Sequence, residues 1–334
     1  MPKAATSNQP LSTLFAGTRL GLPRGFGGLT LVPLLRDGQA GPDAMLLEEG
    51  IAQGCTRVTE SDEARYFHTI VVDHQGTAPL LVLNGEQILV EKNNHAFDES
   101  LVVLPGVNVK VSASWMDWEW ERWPYRANAP PTSAAERESH EPMPTTHAGE
   151  GFRASEFTLT GSMRSRTLSR ATRSQVTGFG FDGDQRAVWR DIDEYLTRIQ
   201  ARSETCAYDD EYRTRAREVE GLLERAKPEP GQVGMAAVAG DRLVGLDVFG
   251  SVVLYARAWK KVLRGVLADE YGPASERTDP VRLVEQVMDM LVMPGTNRAT
   301  LPGCGETIRA VVGVLAMGAV ALEGEVVHAY ATQV

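Results

Sequence analysis

Apolar positions in the first third of the chain come in short runs with turn formers between them. Residues 29–35 read LTLVPLL, and residues 56–59 and 67–73 are rich in β-branched side chains. Runs of this length bounded by Gly, Pro, Asn and Asp predict strands. Residues 80–83 and 87–90 flank Asn84-Gly85, and residues 101–104 and 107–111 flank Pro105-Gly106. Both read as hairpins. Asn-Gly is the stronger signal, because a type I′ turn needs positive φ at both central positions.

The second half changes period. Val188, Ile192, Tyr195, Leu196 and Ile199 fall on one face of a helix that Asp184 can cap. Tyr212, Ala216, Val219 and Leu223 mark another, stopped before Pro228. Residues 233–239 and 242–248 flank Gly240-Asp241 as a further hairpin. Ser251 caps a long helix running toward Tyr271. Asp279-Pro280 is a start signal, a cap followed by proline at the first helical position, for a helix carrying Val284, Val287, Met288 and Leu291. Closing strands are expected at 307–314, 316–322 and 325–332, the last two joined at Glu323-Gly324.

Strands and helices come in blocks, so the expected fold is α+β: an antiparallel β-rich N-terminal half packed with a helix-plus-hairpin C-terminal half. Residues 1–28, polar and rich in Gly and Pro, read as a flexible N-terminal segment. Residues 29–334 read as one domain: β-rich at 29–126, a loop at 127–150, and α+β at 151–334. The loop, which holds His140 and His147, reads as an insertion or a lid.

Composition narrows the function classes. A net charge of -10 argues against nonspecific nucleic-acid binding. Cys55, Cys206 and Cys304 are scattered, which fits reduced thiols in a cytoplasmic protein. No run approaches the roughly 18 apolar residues of a membrane span, and the start lacks the apolar core of a signal peptide. There is no GxGxxG after a strand, no phosphate-binding GxxxxGK[ST], and no Gly-x-Ser-x-Gly elbow.

The chemistry concentrates between residues 80 and 123. Glu86 follows a tight turn, either as a general base or ribose acceptor in a cleft, or as a solvated tip charge. Lys92, Asn93, Asn94 and His95 offer a cation, amide donors and a proton carrier, or an ordinary polar turn. Four of the six tryptophans, Trp115, Trp118, Trp120 and Trp123, interleave with Asp117, Glu119, Glu121 and Arg122. Strand alternation puts the three carboxylates on one side, where they bind a cation such as Mg²⁺, share a proton, or face water. Trp118 and Trp120 beside Arg122 suit stacking on a base with pairing of its phosphate, or else a buried core strand. Indoles with arginine also suit a protein-interaction surface. Arg153, Arg164, Arg166, Arg170 and Arg173 form a basic stretch, read either as an anion patch or as a solvated face. His68 and His328 read as core or edge histidines.

Taken together these segments resemble the ADP-ribosylglycohydrolase- and rhodanese-phosphatase-associated protein family, a group named for its gene neighbours. The resemblance rests on Gly85-Glu86-Gln87-Ile88, then Val90-Glu91-Lys92-Asn93-Asn94-His95, then Asp117-Trp118-Glu119-Trp120-Glu121-Arg122-Trp123. It continues with Asp184-Gln185-Arg186-Ala187-Val188-Trp189, Ser203-Glu204-Thr205 and Pro230-Gly231-Gln232-Val233-Gly234. Gly245-Leu246-Asp247-Val248-Phe249 and Gly324-Glu325-Val326-Val327-His328 complete it. Two positions depart from the family pattern: His95 stands where the family has Arg, and Asp117 where it has Cys. The resemblance implies one continuous domain that processes or senses an ADP-ribose- or NAD-derived nucleotide, through hydrolysis if it is an enzyme. It implies Glu86 and Glu119 as carboxylates acting on ribose or water, and Asp117, which departs from the family pattern, stands beside them as a further catalytic candidate. Lys92 and Arg122 would meet phosphate, Asn94 and His95 would orient the ligand, and Trp118 or Trp120 would stack on the base. The alternative is a non-catalytic interaction or assembly module that uses the tryptophan run to hold a protein partner.

Overall fold

The computed structural model describes residues 9–38, 41–60, 69–89, 94–116, 153–177, 185–198, 209–269, 279–293 and 297–333. The chain enters through helix α1 (Gln9–Ala16) and strands β1 (Thr18–Leu20), β2 (Arg24–Phe26) and β3 (Leu29–Arg36). Then come β4 (Met45–Leu46), α2 (Leu47–Ala52), β5 (Thr56–Glu60) and β6 (Thr69–His74). Five short strands follow: β7 (Leu80–Val82), β8 (Glu86–Leu89), β9 (Asn94–Phe97), β10 (Leu101–Val103) and β11 (Val107–Trp115). β12 (Arg153–Thr158) leads into helices α3 (Gly161–Thr177), α4 (Gln185–Arg198) and α5 (Asp209–Arg225). The hairpin of β13 (Gln232–Ala239) and β14 (Arg242–Phe249) precedes helices α6 (Val252–Ala268) and α7 (Pro280–Leu291). Strands β15 (Asn297–Thr300), β16 (Glu306–Val312), β17 (Leu315–Leu322) and β18 (Glu325–Gln333) close the chain.

The α+β class holds, with the strands gathered into three sheets. The largest has nine strands, in the order β1-β3-β13-β14-β18-β17-β16-β15, with β2 also on β3. One of its faces packs α1 and α7 through Leu14, Leu34, Leu246, Val284, Leu291 and Ala329. The other packs α6 through Phe249, Tyr255, Leu263 and Val327, and reaches Leu81 and Val102 of a second lobe. That lobe is a six-stranded sheet, β12-β8-β9-β11-β6-β5, with a three-stranded one, β10-β7-β4. Between them they bury Val58, Val72, Leu80, Ile88, Phe97 and Val111.

Local signals place the helices. The Asp279 carboxylate accepts from the N–H groups of Val281 (3.0 Å) and Arg282 (3.3 Å), with Pro280 at the first turn of α7. Ser251 Oγ accepts from Leu254 N–H at 3.2 Å and starts α6. The segment read as a flexible N-terminus carries α1 from Gln9 onward, with Leu11, Leu14 and Phe15 buried.

Two expected hairpins are absent. β7 does not pair with β8; it pairs with β10 and β4, while β8 pairs with β12 and β9. β10 likewise does not pair with β11, which joins β6 and β9. Both turns are corners at which the chain leaves one sheet for the other. The φ angles show why. Gly85 alone has positive φ (74°) at the first corner, whereas Asn84 does not, so the type I′ geometry that folds a strand back on itself is not formed. At the true hairpin between β17 and β18, Glu323 (52°) and Gly324 (84°) both have positive φ.

Candidate functional site

The corner at residues 83–86 organises the polar interior. Its turn closes through Glu86 N–H to Leu83 O at 3.0 Å, and Leu159 N–H docks on Gly85 O at 2.8 Å. A Cβ on Gly85 would lie 2.6 Å from Arg164 Cγ, so the position demands glycine for space as well as for φ.

The Glu86 carboxyl faces α6. It accepts from Leu83 N–H at 3.0 Å and ion-pairs with Lys261, whose ammonium also reaches Glu48 Oε2 at 2.5 Å. Glu86 is 1% exposed and Lys261 5%, while Glu48 at 37% opens the group toward solvent. Gly265, one turn beyond Lys261, lets β12 approach: a Cβ there would meet Thr158 Oγ1 at 2.4 Å. Two carboxylates share one ammonium. Burial raises the Glu86 pKa to about 7 against the pull of Lys261, and the Glu48 charge pushes it the same way. Burial works against the Lys261 charge, but Glu86 and Glu48 outweigh it and raise its pKa. The group can therefore hold or release a proton on Glu86 near neutrality while Lys261 stays charged.

On the other side of the same corner lies a second network. Arg164 of α3 forms two hydrogen bonds to the Asp247 carboxylate, at 2.9 and 2.7 Å, and donates through Nε to Asn84 Oδ1 at 3.0 Å. Asp247 also contacts His328 Nε2 at 3.1 Å, and His328 Nδ1 lies 3.0 Å from Ser100 Oγ. Ser100 Oγ already accepts from Asn84 N–H at 2.8 Å, so it donates to the His328 ring. Burial lowers the His328 pKa, which keeps the ring neutral, with Nε2–H toward Asp247. Burial of Asp247 is more than offset by Arg164 and His328, and its pKa falls far below the carboxylate range. Asp247, His328 and Ser100 are aligned like a hydrolytic triad. Arg164 neutralises the acid and all three residues are buried, so here the alignment locks the two lobes together.

A third group surrounds residues 98–99. Asp98 accepts from Ser112 (2.7 Å) and Ser114 (2.6 Å). Glu99 pairs with Arg309 at 2.5 Å, and its pKa is raised by burial to about 7 against the pull of that arginine. Arg309, Gly318, Tyr330 and Asp247 are successive cross-strand neighbours through β16, β17, β18 and β14. A polar row thus crosses the middle of the large sheet, and Gly318 makes room for the Tyr330 ring.

Where their side chains are described, the arginines of the basic stretch are engaged with carboxylates of the chain itself. Arg164 is buried against Asp247, and Arg166 and Arg170 both hold Asp191 of α4, the latter at 2.8 Å. Of the catalytic and ligand-binding candidates between residues 86 and 122 that the resemblance points to, Glu86, Asn94 and His95 are described, and all three are buried. His95 pairs across from Ile88 and so shares the Glu86 face of the sheet, with Trp115 edge-on at 6.2 Å; Asn94 lies on the opposite face. Lys92, Asp117, Trp118, Glu119, Trp120 and Arg122 lie outside the described residues, as do the loop at 127–150, Asp184 and Ser203-Glu204-Thr205.

Sequence reasoning missed Glu48, Lys261, Arg164, Asp98, Glu99 and Arg309 as interior polar groups. The available signal was charge inside apolar strand or helix patterns, as at Asp247 in GLDVF and Arg309 in TIRAVV. Among the described residues no group of three or more His, Cys, Asp or Glu could hold a metal, and no helix is long and apolar enough to cross a membrane. No curated protein and no solved structure shows detectable similarity to the chain. The profile of the ARG and Rhodanese-Phosphatase-superfamily-associated Protein domain matches residues 17–332, nearly the whole chain, and the protein belongs to that family.

Proposed function

We propose that the protein binds an ADP-ribose- or NAD-derived nucleotide and processes or senses it. The family name supports the ligand class, since it records association with ADP-ribosylglycohydrolase and rhodanese-phosphatase genes. The observation that carries the chemistry is Glu86. Its carboxyl, shared with Lys261 and Glu48, has a pKa raised by burial to about 7, suited to general acid or base work at neutral pH. On this reading Glu86 serves a ribose hydroxyl or an attacking water. Lys92 and Arg122 neutralise phosphate, Glu119 and Asp117 assist at the ribose, Asn94 and His95 orient the ligand, and Trp118 or Trp120 stacks on the base.

The test is thermal stabilisation by ADP-ribose, NAD and AMP, each with and without Mg²⁺, because a ligand that binds only the native state raises its melting temperature. The reading expects a shift that Lys92→Ala and Arg122→Ala remove, and turnover that Glu86→Gln removes. No shift with any of these compounds refutes it.

A further inference from the structure

The strongest unassigned feature is the face of the six-stranded sheet opposite Glu86. Gln87, Ala96 and Ser114 are cross-strand neighbours in one row through β8, β9 and β11. Asp98 stands beside that row, held by Ser114 and Ser112. Gln87 is fully buried, yet neither its Nε2 nor its Oε1 has a hydrogen-bond partner. Two arginines within electrostatic reach of Asp98 have the same surplus: Arg170 has Nε and Nη2 unpartnered, and Arg309 has Nε and Nη1. Buried amides and guanidiniums are ordinarily satisfied, because each unmade bond weighs against folding. A chain that keeps several together, on one polar string, has donors and acceptors reserved for something else.

The charges select the kind of ligand. Arg166, Arg170 and Arg309 stand against Asp98, Glu99, Asp191 and Glu194, so the fully ionised cluster carries no net positive charge. An oxyanion added here would sit beside two carboxyls with no net positive charge to hold it. A neutral group that both donates and accepts meets no such penalty. Phe157, Met163 and Ile192 join Ala96 in an apolar cluster on this face, a wall suited to a flat ring.

We propose that this face binds the neutral nucleoside portion of a nucleotide, which deepens the ligand class proposed above and rests on it. The Gln87 amide pairs side-on with the hydrogen-bonding edge of the base, as glutamine does with adenine. Asp98 and the free guanidinium donors take the hydroxyls of the nucleoside ribose, which on this reading is distinct from the group that Glu86 serves on the opposite face. Because the amide is covered in this conformation, the strands and α4 must part for entry. Association is then slower than about 10⁵ M⁻¹s⁻¹, the low end for unhindered binding.

The experiment uses the full chain and four probes: adenosine, ribose, inorganic phosphate and ADP-ribose, measured by calorimetry and by thermal shift. Gln87→Met removes both amide groups at nearly constant shape, and Ser114→Ala perturbs the same row independently. The expected result is adenosine binding that falls at least tenfold in either variant, with phosphate inert. Gln87→Met alone should melt at or above the wild-type temperature, since it removes an unpartnered buried amide. Unchanged adenosine affinity in both variants overturns the proposal. So does stabilisation by phosphate without adenosine, or a Gln87→Met protein that melts well below wild type. ADP-ribose binding that ignores Gln87 would leave the ligand class standing and remove this site. Gln87-dependent adenosine binding with no response to ADP-ribose or NAD would do the reverse.

Discussion

Removing the charge of Asp247 should be among the most damaging changes to this fold. In Asp247→Asn the side chain keeps its shape and still accepts one bond from Arg164 and one from His328. What disappears is the carboxylate that, among the described residues, neutralises the Arg164 guanidinium, and both side chains are 1% exposed. Breaking a buried pair from one side leaves an uncompensated charge and costs about 3–5 kcal/mol. Total stabilities are only about 5–15 kcal/mol, so the variant should be marginal. Arg164 also bonds Asn84, and through it the corner that carries Glu86, so the loss should loosen both lobes. Urea unfolding followed by tryptophan fluorescence measures it as a lower midpoint. A double-mutant cycle sharpens the reasoning. Arg164→Met with Asp247→Leu removes both charges at similar volume and should recover most of the loss, because an apolar replacement of a buried pair is often neutral. A loss below about 1 kcal/mol in Asp247→Asn, against the 3–5 kcal/mol expected for such a pair, would refute the claim that this pair is sealed from water. A double variant as weak as the single one would show that the cost lies in packing.

Other changes test other parts of the interior. Glu86 has a folded pKa raised to about 7, so the folded state keeps a proton that the unfolded chain releases above its ordinary value of 4.5, and stability falls as pH rises across that window. Wild type should therefore lose about 1 kcal/mol more stability per pH unit between pH 5 and 7 than Glu86→Gln, a slope set by the one-proton difference. The opposite contribution of neutral His328 is common to both proteins and cancels. Equal urea midpoints for the two proteins at every pH would show that Glu86 does not titrate there. Gly85→Ala, at φ 74° and with Arg164 Cγ 2.6 Å from the new methyl, should cost more than the ~1 kcal/mol of backbone strain alone. A midpoint within error of wild type would contradict that crowding. Glu99→Gln leaves Arg309 buried without its carboxylate and should lower the melting temperature, while Glu306→Gln, on the partly exposed Arg298 pair, should barely move it.

The sequence was most legible where a local rule has a single outcome. Asp279-Pro280 and Ser251 start helices because capping is settled within three residues, and Glu323-Gly324 makes a hairpin because both residues adopt positive φ. It was least legible where tertiary contacts choose among local options. Asn84-Gly85 is equally at home in a hairpin and in a corner, and the docking of Leu159 on Gly85 decides for the corner. The arginines of α3 look like a surface stripe because their counter-charges, Asp247 and Asp191, lie far along the chain or on the next helix. Glu86 drew notice as a candidate from its turn, but nothing local to it announces Lys261. Lys261 was invisible to spacing because it lies 175 positions away on α6.

The large sheet threads the chain in a way that bears on how the protein is made. Strand β3 pairs with β13, so Leu34 must wait for Gly234, and β14 completes its own pairing only with β18 at the end of the chain. Contacts so distant in sequence form late and slowly, since loop closure precedes any reward. A nascent chain that has emitted only its first two hundred residues carries the apolar strand LTLVPLL with one long edge still waiting for its partner. Such an edge is a template for pairing with other chains. Full-length synthesis, rather than domain-by-domain folding, should then set the yield of soluble protein, and no internal cut between the lobes should release a half that stands alone.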